Sequence, residues 1–546
     1  MKPAHSIWPG LVAIAALAAA ARPQGILYSV TGPPNGSIGK VTAAVGDVDS
    51  DGADDFAVSD ATDGGSVDVH SGRTGALIRH VLPPVPDTGF GGAIGGKGDI
   101  DLDGTPDIII GATGAALSGE VYIYSGATFA LIRTHTSTVA GTLFGKVVAM
   151  LGDLNGDGAS EYAITAWPPL GPLVPSFVEI RSGIDGQLLK TFGGVVVSNI
   201  GSAYVALNDV TGDGTPDFAL AEPNPSSGGY TANGEARVYS GATLDLWTSV
   251  SGPSDFALMG LTMAHLGDVD GDGLDEFAAS SGFFNGNNFV SGVVVGSAAS
   301  GAILTAAWGD KHTIDPVVNR VSSTSDADGD GADDALFTDS NGNIVMIASA
   351  SGERLFLVEL PIAGVSNPQS LAGIEDVNGD GYPEFLAGDP SFSPPGGQAT
   401  GTVWALTTRP LLATPGTLSA SAPEVIDFTL SPGVAHAGAI YLMLASATPE
   451  SGSCAGMDIG GAQVHIPFCF DPVMKASIEQ VNTTLFQTTY GFLDSYTGQG
   501  SAKLDATGVL IPPSTVGLVI DFFFLTHLPG IGWDKFWEAE PVEIGP

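Results

Sequence analysis

The nine residues DVDGDGLDE (Asp268–Glu276) carry five carboxylates, four of them at positions one, three, five and nine. Carboxylates this close repel one another and cost stability unless a positive charge sits between them. The stretch has six companions: DVDSDGADD from Asp47, DIDLDGTPD from Asp99, DLNGDGASE from Asp153, DVTGDGTPD from Asp209, DADGDGADD from Asp326 and DVNGDGYPE from Asp376. Successive starts lie 52, 54, 56, 59, 58 and 50 residues apart. All seven obey D-x-[DNT]-x-D-G-x-x-[DE], so an internal repeat governs the chain.

Each acidic nonapeptide has the same surroundings. A short apolar run leads in, as in GKVVAMLGD (Gly145–Asp153) or GLTMAHLGD (Gly260–Asp268). A second follows at once: DFAVS, DIIIGA, EYAIT, DFALAE, EFAAS, DALFT and EFLAG. A third run often ends in Ser-Gly, as in VYIYSG, and a fourth follows, as in ALIRTH. Four short strands per unit is the arithmetic of a propeller blade, and seven units predict seven blades. The seventh unit lacks a local fourth strand, because TVWALTT runs into RPLLATPGT, whose prolines disfavour a central strand. The N-terminal ILYSVTGPPNGSIGKV (Ile26–Val41) resembles the fourth strand and lead-in of other units, so it is expected to complete that blade and close the ring.

The loop chemistry points to a hard cation. Carboxylate and carboxamide oxygens at positions 1, 3, 5 and 9, with a main-chain carbonyl and water, supply the six or seven oxygens that favour Ca²⁺ over Mg²⁺; zinc would want His or Cys. Glycine at position 6 permits the sharp turn. The expected ligands are Asp47, Asp49, Asp51 and Asp55; Asp99, Asp101, Asp103 and Asp107; Asp153, Asn155, Asp157 and Glu161; Asp209, Thr211, Asp213 and Asp217; Asp268, Asp270, Asp272 and Glu276; Asp326, Asp328, Asp330 and Asp334; Asp376, Asn378, Asp380 and Glu384. Up to seven Ca²⁺ ions are expected, mainly as folding staples. Position 12, a bidentate Glu in an EF-hand, is apolar here (Val58, Ile110, Ile164, Leu220, Ala279, Phe337, Ala387). The loops therefore join strands and not helices. Asp275, between the ligands, is expected to point elsewhere or to solvent.

These blades, with the glycine-containing lead-ins (FGGAIG, LFGKVV), the acidic loop and ends such as IIIGAT, ALAEP and LAGDP, resemble FG-GAP repeats. Those are the repeats of the integrin α-subunit propeller and of many secreted bacterial proteins, and seven intact loops resemble the bacterial type more. The resemblance covers about residues 25 to 408. It implies Ca²⁺ in loops on one propeller face, with ligand surfaces on other loops. The Phe-Gly pair is replaced in several units, and NRVSSTSD in unit six lacks the glycine.

Composition agrees. The 546 residues include 77 Gly and 36 Pro, which suits a turn-rich all-β protein. The net charge of −41 is concentrated, since loop positions 1, 3, 5 and 9 hold 25 of the 59 acidic residues. With 18 Lys and Arg, the chain is not expected to bind nucleic acid. Leu11–Ala21 is an apolar run ending in small residues and reads as a signal peptide over 1–21; it is short for a membrane span, and no later segment qualifies. A secreted or cell-surface location is expected. There Cys454 and Cys469 would form one disulfide, with two free thiols as the alternative. Residues 409–546 lack the acidic loop and read as a C-terminal β-sandwich of six to eight strands.

No catalytic signature emerges: neither HExxH nor G-x-S-x-G occurs. GGAIGGKG (Gly91–Gly98) approaches a phosphate-loop spacing but ends in Gly where Ser or Thr is needed. His70, His80 and His135 fall on strands and read as packing or surface residues. The expected function is binding of an extracellular protein or glycan in adhesion or recognition. The alternatives are a carbohydrate-active enzyme or its accessory module, and an envelope assembly protein.

Overall fold

The computed structural model describes residues 26–408 apart from 62–64, 86–88, 115–117, 169–174, 194–198, 227–228, 286–287, 309–319, 340–341, 359–367, 380 and 394–397. Beyond 408 it describes the backbone of the strands only. The described elements are strands, and they form seven antiparallel four-stranded sheets up to Thr407.

Each sheet is one blade built in sequence order. Blade 1 comprises Ile38–Gly46, Asp55–Asp60, Ser66–His70 and Leu77–Val81. Blade 2 comprises Phe90–Gly98, Asp107–Ala112, Glu120–Tyr124 and Leu131–Thr136; blade 3, Leu143–Gly152, Glu161–Trp167, Phe177–Arg181 and Leu188–Gly193. Blade 4 starts at Tyr204–Leu207, blade 5 at Met263–Gly267, blade 6 at Val321–Thr324 and blade 7 at Ser370–Ile374. The outer strand of blade 7 comes from the other end of the chain: Ile26–Thr31 pairs with Thr402–Thr407, from Ile26 against Leu406 to Thr31 against Thr402.

The core lies between blades. Seven hydrophobic clusters each join residues of two neighbouring blades, and the last joins Phe56 and Val58 of blade 1 to Leu386 and Val403 of blade 7. The ring is therefore closed. Second strands are pressed on both faces, which explains why they read as continuous apolar runs: DIIIGA and DFALAE are buried along their whole length. Fourth strands face outward and alternate, as in LIRTHT. The residue after each acidic loop is commonly a large anchor, and Phe56, Tyr162, Phe218, Phe277 and Phe385 are fully buried. First strands contact one another in sequence around the ring, blade 7 touching blade 1, so they line the axis.

The lead-in glycines make this packing possible. Gly145 sits in a bulge between the pairs Phe144–Ala166 and Val148–Ile164, at φ 80°. A Cβ on Gly111 of blade 2 would lie 2.0 Å from the Gly145 carbonyl oxygen. Gly388 and Gly39 repeat the approach across the blade 7–blade 1 seam, where a Cβ on Gly388 would lie 2.3 Å from the Gly39 oxygen. Backbone thus meets backbone where any side chain would intrude.

Beyond residue 408, twelve short strands are described. Leu411–Thr414, Val425–Leu430, Gly500–Asp505 and Phe486–Gln487 pair as one sheet. A second sheet is built around Val519–Leu528, which pairs with Ile440–Ser446, Gly532–Glu538 and Val542–Gly545. Cys454 and Cys469, and the residues of the expected signal peptide, lie outside the described residues.

Candidate metal-binding loops

The seven acidic loops each connect the first and second strand of a blade, which places them all on one face of the ring. Their backbone is nearly the same seven times over. The position 6 glycine is left-handed in every loop, with φ between 86° and 95° (Gly52, Gly104, Gly158, Gly214, Gly273, Gly331, Gly381). Its N–H donates to the position 1 carboxylate at 2.7–2.9 Å in all seven, from Gly52 to Asp47 through Gly381 to Asp376.

Position 4 is also left-handed, a feature the ligand pattern did not single out. Glycine occupies it in five loops (Gly156, Gly212, Gly271, Gly329, Gly379). Ser50 and Leu102 hold the same conformation at φ 62°. The signal was present in the recurring D-x-x-G-D-G.

Position 9 does more than close the loop. Asp55, Asp107, Glu161, Asp217, Glu276, Asp334 and Glu384 are all fully buried. One carboxylate oxygen accepts the N–H of position 2 in every loop, as Asp107 does from Ile100 at 2.7 Å. In five blades the other oxygen accepts an N–H just past the third strand: Gly72, Gly126, Gly183, Gly241 or Ser349. Without a cation, burial drives these carboxyls upward, Asp55 and Asp107 to about 6, Glu161 and Glu276 to about 7, and Asp334 to about 8. A bound cation would reverse that tendency.

The structure brings positions 1, 3 and 9 together. In four loops one oxygen from each lies within 4.8 Å of the others: Asp47, Asp49 and Asp55; Asp99, Asp101 and Asp107; Asp268, Asp270 and Glu276; Asp326, Asp328 and Asp334. In the third and seventh loops, Asn155 and Asn378 donate Nδ2–H to Glu161 and Glu384 at 2.8 and 2.9 Å. In the fourth, Thr211 Oγ1 lies within 3.5 Å of both Asp209 and Asp217. Position 5 stands outside the four trios. Asp51, Asp103, Asp157, Asp213, Asp272 and Asp330 each accept the N–H of position 7, and Asp103 and Asp213 also accept Ser125 and Ser240 hydroxyls. Asp380 lies outside the described residues.

The loop that contains Glu276 supplies the test of fit. Glu276 Oε1 is buried and has no hydrogen-bond partner among the described residues, while Asp268 and Asp270 place oxygens beside this carboxylate. A buried, unsatisfied carboxylate oxygen among carboxylates suits a hard cation.

Position 8 carries a role that the repeat pattern does not show. Asp275 is neither solvent-facing nor idle: it is 5% exposed, 2.8 Å from His265 Nε2, and accepts the Asn208 N–H and Nδ2–H of blade 4 at 2.6 and 3.1 Å. Burial pushes its carboxyl up, but these donors outweigh it and hold the group below the usual range. Asp54 in loop 1 similarly meets Lys97 of blade 2 at 2.6 Å. Gly91–Gly98 is part of the axial strand of blade 2. His70 is buried, its Nδ1 3.1 Å from the Gly75 carbonyl, and His80 faces Asp68.

With this geometry in view, the FG-GAP repeat model matches residues 367–406, which span the acidic loop of blade 7 and its flanking strands. The propeller is similar to FG-GAP repeats of the integrin-α type. A curated relative is integrin alpha-V of Gallus gallus, 27% identical across 33% of this chain. The chain spans 19% of that relative's length. Among the described residues, no helix is long and apolar enough to cross a membrane.

Proposed function

We propose that this FG-GAP protein is an extracellular or cell-surface recognition protein whose propeller is stapled by Ca²⁺ and binds a protein ligand. The observation that carries the metal reading is Glu276 Oε1, buried beside Asp268 and Asp270 without a hydrogen-bond partner among the described residues. Positions 1, 3 and 9 would hold the ion, with Asn155, Thr211 and Asn378 serving at position 3 where an acid is absent. Six or more oxygen donors in an adaptable loop favour Ca²⁺ over the strictly octahedral Mg²⁺. The ion would neutralise the carboxylates between first and second strands, and so fasten every blade on the same face.

The recognition role is supported by the likeness to integrin alpha-V and by the apolar N-terminal run Leu11–Ala21, which reads as an export signal. The residues after 408 are proposed to form a β-sandwich appended to the propeller, with Cys454 and Cys469 joined. The test is capture of extracellular-matrix proteins by the full chain in Ca²⁺, then in excess EDTA, with melting followed in parallel. Saturable capture lost on chelation, together with a lower melting temperature, supports the reading. Capture of no extracellular protein, or a melting curve that EDTA leaves unchanged, overturns it.

A further inference from the structure

The seven loops are alike in backbone but not in what stands at position 3. Four carry a carboxylate there: Asp49, Asp101, Asp270 and Asp328. Loops 3 and 7 carry an amide, Asn155 and Asn378, and loop 4 a hydroxyl, Thr211. One task of this side chain is common to acid and amide. Its oxygen accepts the position 5 N–H, as Asp49 does from Asp51 at 3.1 Å and Asn155 from Asp157 at 2.9 Å. Asp101, Asp270 and Asp328 do the same at 3.1–3.2 Å.

The other atom of the head group is where the loops divide. A carboxylate has a second oxygen; an amide has an N–H in its place. In loops 1, 2, 5 and 6, position 3 supplies one of three carboxylate oxygens that lie within 4.8 Å of one another. In loops 3 and 7 the amide donates instead, Asn155 to Glu161 Oε1 at 2.8 Å and Asn378 to Glu384 Oε1 at 2.9 Å. The amide thus bridges positions 3 and 9, the same two positions that a cation would join.

The position 9 oxygens record the difference. In loop 5, Glu276 Oε1 is buried without a hydrogen-bond partner among the described residues. In loop 3, Glu161 Oε1 accepts twice, from Asn155 Nδ2–H and from the Gly183 N–H at 3.3 Å, which uses both its lone pairs. Loop 4 lies between these cases. Thr211 Oγ1 is 3.5 Å from Asp217 Oδ1, which also accepts the Gly241 N–H at 2.8 Å. Threonine brings one neutral oxygen and no charge.

Charge points the same way. Positions 1, 3, 5 and 9 hold four acids in loops 1, 2, 5 and 6, and three acids in loops 3, 4 and 7. The affinity of such loops for Ca²⁺ is tuned over orders of magnitude by the number of ligand charges. A fourth carboxylate attracts a divalent ion more strongly, and without the ion it adds to the repulsion among its neighbours.

We propose that the loops form two classes of Ca²⁺ site that fill in order: loops 1, 2, 5 and 6 bind tightly, loops 3, 4 and 7 more weakly, and in loops 3 and 7 the asparagine amide takes over the bridging when no ion is bound. This deepens the Ca²⁺ reading proposed above and rests on it. Around the ring, the tight pairs in blades 1–2 and 5–6 are separated by blades 3–4 on one side and by the seam blade 7 on the other. Falling calcium therefore empties blades 3, 4 and 7 first, so occupancy of the metal face is graded and not all-or-none.

The experiment equilibrates the full chain against a series of calcium buffers and measures bound calcium per chain by atomic emission. Melting is followed in excess Ca²⁺ and in excess EDTA. The parent chain is expected to load in two steps, four ions and then up to three more, with affinities at least about tenfold apart. Asn155→Asp/Asn378→Asp is expected to raise the first step from four ions to six. The same pair is expected to melt higher than the parent in Ca²⁺ and lower in EDTA, because it exchanges a hydrogen bond for a fourth repelling charge. An amide that served only the fold would lower melting in both conditions. Asp270→Asn, the reverse exchange in a tight loop, is expected to reduce the first step to three ions. A single step of seven ions in the parent, a first step left at four in the double variant, or a double variant that melts lower in both conditions overturns the inference and leaves the Ca²⁺ reading standing. A parent chain that binds no calcium overturns the Ca²⁺ reading, and the two classes fall with it.

Discussion

At the scale of single residues, the loops divide into positions that gather carboxylates and positions that hold a shape. Leu102 is 48% exposed and left-handed, where five sister loops carry glycine. A non-glycine residue there costs about 1–2 kcal/mol, and glycine returns part of that as chain entropy. Leu102→Gly is therefore expected to raise stability by up to about 1 kcal/mol, read from urea denaturation. Asp275→Ala removes a buried carboxylate that accepts from Asn208 and pairs with His265, and should cost about 1–3 kcal/mol, the range for hydrogen bonds to charged groups. His135 is pushed down to about 4 by burial and then by Arg181 and Arg133, with Nε2 2.7 Å from the Tyr162 hydroxyl. An unfolded histidine takes its proton near pH 6.5. The folded site resists until about 4, so its contribution is present above 6.5 and lost as pH falls between the two. Denaturation of His135→Gln at neutral and at acid pH should show a smaller acid loss than the parent chain.

The loop shape was legible because it is local: spacing within nine residues brings positions 1, 3 and 9 together in four loops, while position 5 stands apart. Asp275 was not, because its partner Asn208 lies 67 residues away in the preceding blade.

At the scale of strands and blades, the repeated glycines are contacts more than hinges. Gly111 has no left-handed requirement, yet an added methyl would meet the Gly145 carbonyl at 2.0 Å. Gly111→Ala should therefore destabilise by at least about 1–3 kcal/mol through forced separation of blades 2 and 3, measured as a lower denaturation midpoint. The second strands are apolar along their length, and the sheets bury them on both faces. The lead-in of blade 6 lacks the glycine, but Val321–Thr324 still pairs with Asp334–Thr338 in unbroken register. There the polar contacts of Arg320 with Thr338 and of Val321 N–H with Thr262 Oγ1 at 3.1 Å anchor the strand start. No local motif advertises that substitution of one device for another.

For the whole molecule, seven inter-blade clusters make a closed ring in which each blade is supported twice. In five blades position 9 ties the acidic loop to the end of the third strand, so loss of the proposed ions would remove charge compensation at those ties together. Chelation with EDTA is expected to lower the melting temperature by about 10 °C or more, with Ca²⁺ restoring it and the same concentration of Mg²⁺ restoring less, read by circular dichroism.

The strand that seals the seam between blades 7 and 1 has a temporal consequence. Ile26–Thr31 leaves the ribosome some 370 residues ahead of its partner Thr402–Thr407. At about 5–20 residues per second, that interval is roughly 20–75 seconds. Throughout it the early strand has an open edge and no sheet to join, a state in which foreign strands can pair with it. Ring closure thus has to wait for the last propeller strand to be made, and a chain cut short anywhere before Thr402 would be left with its first strand unclaimed.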